Sequence, residues 1–277
     1  MTRAFAALLA CALCVTAACS VPLMKLPAGA GVAAPDASDA LAQATAACRG
    51  IRTLTVEIGV SGSAAGRRLR VRMLAGIAAP ASVRLEALAP FGPPVFFFVA
   101  NDDDATLLLP RDDRVLEHGR PDAVLDAVAG VPLGAADLYA TLTGCAPMLP
   151  LASGRDLGAD WRVVRLAAGD AGYDLYLHRE GAAQPWRLVA TTREGPAQSG
   201  WRAEYRDFQN DLPRSIRIAA LGADQTGKPA FDLTLALSQL EANVPLDADV
   251  FRVDIPQSAD PITLDELRSA RPGIREN

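Results

Sequence analysis

The stretch Arg68-Leu69-Arg70-Val71-Arg72-Met73 alternates a cationic side chain with an apolar one from end to end. Successive side chains of a strand point to opposite faces, so Leu69, Val71 and Met73 share one surface and the arginines the other. Working outward, Val56, Ile58 and Val60 share one face of an earlier strand, and Val83, Leu85 and Ala87 alternate with Arg84 and Glu86 in a later one. Residues Gly62 to Gly66 supply a turn between the first two strands, which predicts antiparallel pairing. Period-two patterning with one charged face describes a sheet that is wet on one side and dry on the other.

Beyond this block the segment Pro90-Phe91-Gly92-Pro93-Pro94 breaks the alternation, and an apolar run, Val95 to Val99, follows. Asn101 to Asp104 reads as a turn and Thr106 to Leu109 as the next strand. Apolar residues then recur at helical spacing over Pro121–Ala129 (Val124, Leu125, Val128) and Ala135–Thr143 (Leu138, Leu142). Residues Gly130 to Gly134 separate these two short helices. Strands return at Trp161–Leu166, Tyr173–His178, Trp186–Thr191, Trp201–Phe208, Ser215–Ala220 and Phe231–Leu240. The total is roughly eleven strands at short spacing, which predicts a highly curved sheet or open barrel. A short helix, Leu41 to Cys48, is expected after a cap at Ser38 or Asp39. After Pro256 the sequence becomes a charged tail, 257–277, with a helical turn or two at Leu264 to Ser269.

The N-terminus sets the expected compartment. Arg3 gives a short positive region, Ala4 to Val15 form an apolar core, and Thr16-Ala17-Ala18 precede Cys19. The apolar stretch is shorter than the roughly 20 residues that span a bilayer, and small residues before a cysteine fit a cleavage site. Residues 1–18 are therefore expected to be removed as a signal peptide, the competing reading being an uncleaved anchor. Residues 19–38, with Pro22, Pro27 and Pro35, read as a flexible tether. Cys48 and Cys145 remain in the exported chain. A disulfide between them would close a loop of about 98 residues and stabilise the fold by about 2–5 kcal/mol; two separate buried thiols are the alternative.

Composition and motifs exclude several classes. The 277 residues are half apolar with a formal charge of −5, which loss of Arg3 takes to −6, and no basic cluster long enough to follow a phosphate backbone is present. Nucleic acid is not an expected partner. The two histidines, His118 and His178, lie far apart without cysteine or carboxylate spacing for a metal, and no G-x-S-x-G elbow occurs. Gly222-Ala-Asp-Gln-Thr-Gly227-Lys228 has phosphate-loop spacing, but Pro229 replaces the required Ser or Thr and strands flank it, so it reads as a hairpin loop. Asp102 to Asp104 lack calcium-loop spacing. No enzyme activity, metal or cofactor is expected.

Phe91 sits at the tip of the stiff Pro90–Pro94 turn. Leaving a phenylalanine in water costs about 1.5–3 kcal/mol relative to burial, so it either folds back on the core or inserts into a membrane or a partner's cavity.

Several segments resemble the LolA/LolB family of lipoprotein-localisation proteins, and the outer-membrane receptor branch, LolB, in particular. Val83-Arg84-Leu85-Glu86-Ala87-Leu88-Ala89-Pro90-Phe91-Gly92 is similar to a strand ending in Pro-Leu-Gly. Val128 to Leu138, ending at Leu142-Thr143-Gly144, resembles the family's helix, Gly-hydrophobic-Pro break and second helix. Trp201 to Phe208 with Leu212-Pro213, and Phe251 to Pro256, resemble its late strand pair and closing segment. The likeness covers about residues 39–256 and implies a mainly β fold with a few helices. Its form would be a half-open, highly curved antiparallel β-barrel enclosing an apolar cavity plugged by short helices. It further implies a diacylglyceryl thioether on Cys19, and Ser20, with no Asp there, implies sorting to the outer membrane. The cavity would take acyl chains of lipoproteins from a periplasmic carrier and release them into membrane lipid. Pro90, Phe91 and Gly92 would form the inserting loop. Val71, Met73, Leu85, Phe97, Leu108, Leu125, Leu138 and Leu235 are the expected cavity lining. Such a carrier needs no oligomer. The alternative is a lipid-anchored binding or assembly module of the same fold that holds another apolar ligand or a partner protein.

Overall fold

The computed structural model describes residues 22–168, 171–195, 200–222 and 227–270. The leader and Cys19 lie outside these residues, as do positions 223–226 of the glycine-flanked loop and the last residues, 271–277.

A two-residue strand, β1 (Val32–Ala33), and two helices, α1 (Ala37–Ala44) and α2 (Ala46–Arg49), precede the alternating block. Alternation then gives a first meander: β2 (Thr53–Ala64), β3 (Arg67–Ala78), β4 (Ser82–Leu88), β5 (Phe96–Asn101), β6 (Asp104–Leu109) and β7 (Arg114–Gly119), each antiparallel to the next. Helices α3 (Pro121–Ala129) and α4 (Ala135–Thr143) follow. A second meander comprises β8 (Leu151–Asp156), β9 (Trp161–Ala168), β10 (Ala171–His178), β11 (Arg187–Glu194), β12 (Trp201–Arg206), β13 (Ser215–Ala220) and β14 (Phe231–Ala242). Antiparallel pairing of β14 with β2 fuses the meanders. A last strand, β15 (Asp260–Pro261), pairs parallel with β7 and leads into α5 (Leu264–Ala270).

The result is one curved, unclosed sheet of fifteen strands with β1 and β15 at its edges, where roughly eleven were expected. The four additional strands are β1, β7, β8 and β15. Two of them have only two residues, and β8 is exposed or half-exposed throughout, so no dry face imposes alternation on its sequence.

One face of the sheet carries the core. Leu54, Ile77, Val83, Phe98 and Leu107 of the first meander and Val164, Leu166, Leu175, Ile216 and Leu233 of the second belong to one apolar cluster. Val124, Leu125, Leu138 and Leu142 of α3 and α4 join it, so both helices lie on this inner face. Each ends on a left-handed glycine, Gly130 at φ 72° and Gly144 at φ 64°, as helices that must turn sharply do. A Cβ at Gly144 would sit 2.8 Å from Cδ of Pro213, so this helix end has room for nothing larger.

Residues 257–270 belong to the fold rather than to a tail. Ile262 and Leu267 are buried in the core, the latter completely. Helix α5 starts in a reciprocal cap: Thr263 N donates to Oε2 of Glu266 at 2.8 Å, and Glu266 N donates to Oγ1 of Thr263 at 3.3 Å. These bonds to Thr263 hold the Glu266 carboxyl below its ordinary pKa of 4.5. The tether is likewise laid on the sheet from Pro22 onward: Met24 N donates to Glu204 Oε1 at 2.8 Å and Arg206 Nη2 to Pro22 O at 3.2 Å. The structure joins Cys48 and Cys145, with Cα atoms 5.6 Å apart, tying α2 to the turn after α4.

Candidate functional site

The loop between β4 and β5 stands out first. Its backbone is stiff because Pro90, Pro93 and Pro94 fix φ and remove three amide donors, and Gly92 takes φ 78°, which a bulkier residue resists. Arg111, in the turn between β6 and β7, completes it. Its Nη2 donates to the carbonyl of Phe91 at 2.6 Å and its Nε to that of Pro93 at 3.2 Å. The main chain of the tip is thereby held to the sheet while the Phe91 ring points away, 85% exposed. Of the two dispositions open to Phe91, the structure places it outward.

The expected cavity residues divide between two faces. Leu85, Leu125, Leu138 and Leu235 lie together in the inner cluster, and Val71 and Met73 pack half-buried against it. Phe97 and Leu108 lie on the opposite face. They pair with each other and Phe97 with Glu86, whereas Leu85 pairs with Phe98 and Phe98 with Leu107. The cause is that both faces of β5 are covered. On the outer side the segment around Phe251 lies over it, held by Arg84 Nη1 donating to Arg252 O at 2.9 Å and Asn101 Nδ2 to Phe251 O at 3.1 Å. A strand covered on both sides is apolar throughout and gives no alternation from which to read its register.

Inside the core lies one polar constellation that sequence reasoning missed. Asp137, on the first turn of α4 and 6% exposed, accepts at Oδ1 from the Tyr173 hydroxyl at 2.6 Å and at Oδ2 from Arg193 Nη1 at 3.3 Å. Oδ2 also accepts from the amide of Gly134 at 3.2 Å. Burial, reinforced by the Asp137 carboxylate, pushes the Tyr173 phenol well above its ordinary value. Burial also raises Tyr205, two strands away in β12, to about 12. These bonds fasten the N-terminus of α4 to β10 and β11. Only the Gly134-to-Asp137 capping interval signals any of this in sequence, and nothing local announces Arg111.

The remaining candidates are dispersed. His118 is exposed and pairs with Asp104 at 3.4 Å, and His178 packs its ring 4.5 Å from that of Trp161. Among the described residues, no group of three or more His, Cys, Asp or Glu is placed to hold a metal ion. A groove of about 350 Å³ on the outer face is lined by the charged Glu57, Arg84, Glu86 and Glu241 together with the apolar Val56, Leu74, Leu246 and Val250.

No family model matches the sequence, and no curated protein matches it. Solved structures do match by fold. A LolA superfamily protein from Nitrosomonas europaea superposes with a TM-score of 0.56 at 13% identity, covering 78% of this chain and 97% of that one. A DUF1329 family protein from Desulfovibrio piger gives a TM-score of 0.50 at 10% identity over 78% and 96% of the two chains. An outer-membrane lipoprotein-sorting protein domain from Vibrio parahaemolyticus gives 0.49 at 12% identity over 77% and 94%. At these identities the likeness concerns architecture: the chain has a LolA-like fold, a curved antiparallel sheet with helices on its inner face.

Proposed function

We propose that this chain is an outer-membrane lipoprotein, anchored through Cys19 on the periplasmic face, that accepts the acyl chains of other lipoproteins from a periplasmic carrier and inserts them into the membrane. The observation that carries this reading is Phe91, 85% exposed on a loop whose backbone Arg111 holds rigid. A solvated aromatic ring held in that position is disfavoured in water and favoured in lipid. The LolA-like fold and the apolar inner face under α3 and α4 supply a place for acyl chains. Transfer between two protein cavities is nearly thermoneutral, and entry of the chains into a bilayer makes the sequence favourable. To admit a chain, α4 must move off β4 and α3 off β6, and the Asp137 contacts are what α4 must break.

The test mixes residues 20–277, which contain every described residue, with a labelled carrier–lipoprotein complex and liposomes. The label is expected to leave the carrier and float with the liposomes. With Phe91→Glu it should still leave the carrier but no longer float. Phe91→Glu delivering as well as the parent would sink the inserting-loop role.

A second reading is a lipid-anchored binding or assembly module of the same fold. The disulfide favours it, because Cys145 directly follows the C-cap of α4 and fixes that end of the helix to α2. Uptake of label without flotation in the parent protein would select this reading.

A further inference from the structure

Strand β3 outruns β4. Its pairing with β4 ends at Arg72 opposite Leu88, where the chain leaves as the Phe91 loop, but β3 continues to Arg67, paired only with β2. Because β4 is heading toward the β2–β3 hairpin when it ends, the loop and the free flank of β3 lie side by side at the same end of the sheet. Arg68 and Arg70 stand opposite Ser63 and Ser61 on the outer face, and Arg67 opposite Ala64 at the tip. All three are exposed, and none makes an ion pair or side-chain hydrogen bond with a described residue.

Two carboxylates on the neighbouring outer face are already engaged. Glu57 is held by Arg72 at 2.7 Å, and both oxygens of Asp232 by Arg217 at 2.7 and 2.6 Å. The Arg111 turn carries two acids of its own, Asp112 and Asp113, the latter accepting from Ser258 at 3.0 Å. In a chain of net charge −5, Arg67, Arg68 and Arg70 therefore place unpaired positive charge beside the exposed Phe91 ring. Apolar side chain and arginines together match the two layers of a bilayer surface, acyl chains below and anionic headgroups above.

We propose that Arg67, Arg68 and Arg70 form a docking surface for anionic membrane lipid, which seats the hairpin on the headgroups and brings Phe91 to the acyl layer. The proposal deepens the delivery reading above and rests on it for the role of Phe91. Partition of residues 20–277 is measured on vesicles of phosphatidylcholine alone and of phosphatidylcholine mixed with phosphatidylglycerol. The parent should prefer the anionic vesicles, and raised salt should erase the preference. R67Q/R68Q/R70Q should lose roughly 100-fold in partition onto anionic vesicles and nothing on neutral ones. R120Q/R252Q/R268Q, the same charge change elsewhere, should behave as the parent, with unchanged melting temperature verifying the fold of each. Equal loss in both triple variants, or none in the first, overturns the proposal. Lost uptake from the carrier with unaltered vesicle partition would assign the arginines to an acidic protein and also overturn it. Phe91→Glu separates the two readings. If it leaves neutral-vesicle binding intact while the arginine effect persists, the inserting loop fails and the headgroup surface stands.

Discussion

The two meanders carry arginine on their outer faces in different ways. In the second, where the buried Arg162 joins Asp156 and Asp36 on the inner face, Arg165 bridges Asp174 and Glu194 and Arg217 grips Asp232 with two hydrogen bonds. There Arg202 and Arg206 converge on Glu204, which is completely buried beneath the tether. In the first, only Arg72 of the four arginines from 67 to 72 has a carboxylate. The same residue type serves as internal mortar in one region and as unspent charge in the other. Paired arginine is explained by the fold, whereas unpaired arginine points to something outside it.

The comparison can be broken most forcefully at Glu204. Removing one partner from a buried ionic group leaves uncompensated charge, so Glu204→Ala should cost about 3–5 kcal/mol in urea unfolding and loosen residues 22–26 to protease. A near-neutral result would show that the second meander does not depend on its ion pairs. Next comes alkaline pH. Tyr173 and Tyr205 have folded-state pKa values raised above the ordinary 10.0, so their stabilising effect is complete below that pH. It should fall as pH rises through the folded values, by about 1.4 kcal/mol per pH unit for each tyrosine. Tyr205→Phe should flatten part of that slope. Arg111→Ala should cost about 0.5–1.5 kcal/mol through its two lost bonds and raise cleavage within residues 89–95. The smallest effect sharpens the contrast within one strand. Arg72→Gln should cost about 0.2–1 kcal/mol, while Arg70→Gln should stay within about 0.5 kcal/mol in either direction and still weaken binding to anionic vesicles.

Legibility in the sequence followed the covering of each element. Strands β2 to β4 were readable because one side is wet and the other dry, and α3 and α4 because proline and glycine punctuate them. The run from Phe96 to Val99 was not, since Phe96 and Phe98 turn to the core while Phe97 and Val99 turn to the covering segment around Phe251. Helix α5 carried a readable signal, Thr263-Leu264-Asp265-Glu266 with capping spacing, yet its charge made it look like a tail. Phe91 was singled out by its Pro and Gly neighbours, which left open whether it folds back or points outward. Its staple, Arg111, was not, because the contact spans the β5–β6 hairpin and leaves no local pattern.

The edges of the open sheet bear on how the protein avoids joining copies of itself. An unclosed sheet offers unpaired amides and carbonyls at both margins, which invite strand addition by neighbouring molecules. Here each margin is stopped by a two-residue strand contributed by an extremity of the described chain, β1 at one side and β15 at the other. Pro261 withholds an amide at one of them, and neither is long enough to template a second chain. The outermost segments thus act as end-stops against polymerisation. Trimming the chain back to Asn243 at one end, or beyond Ala33 at the other, would uncover β7 or β8 and should increase self-association.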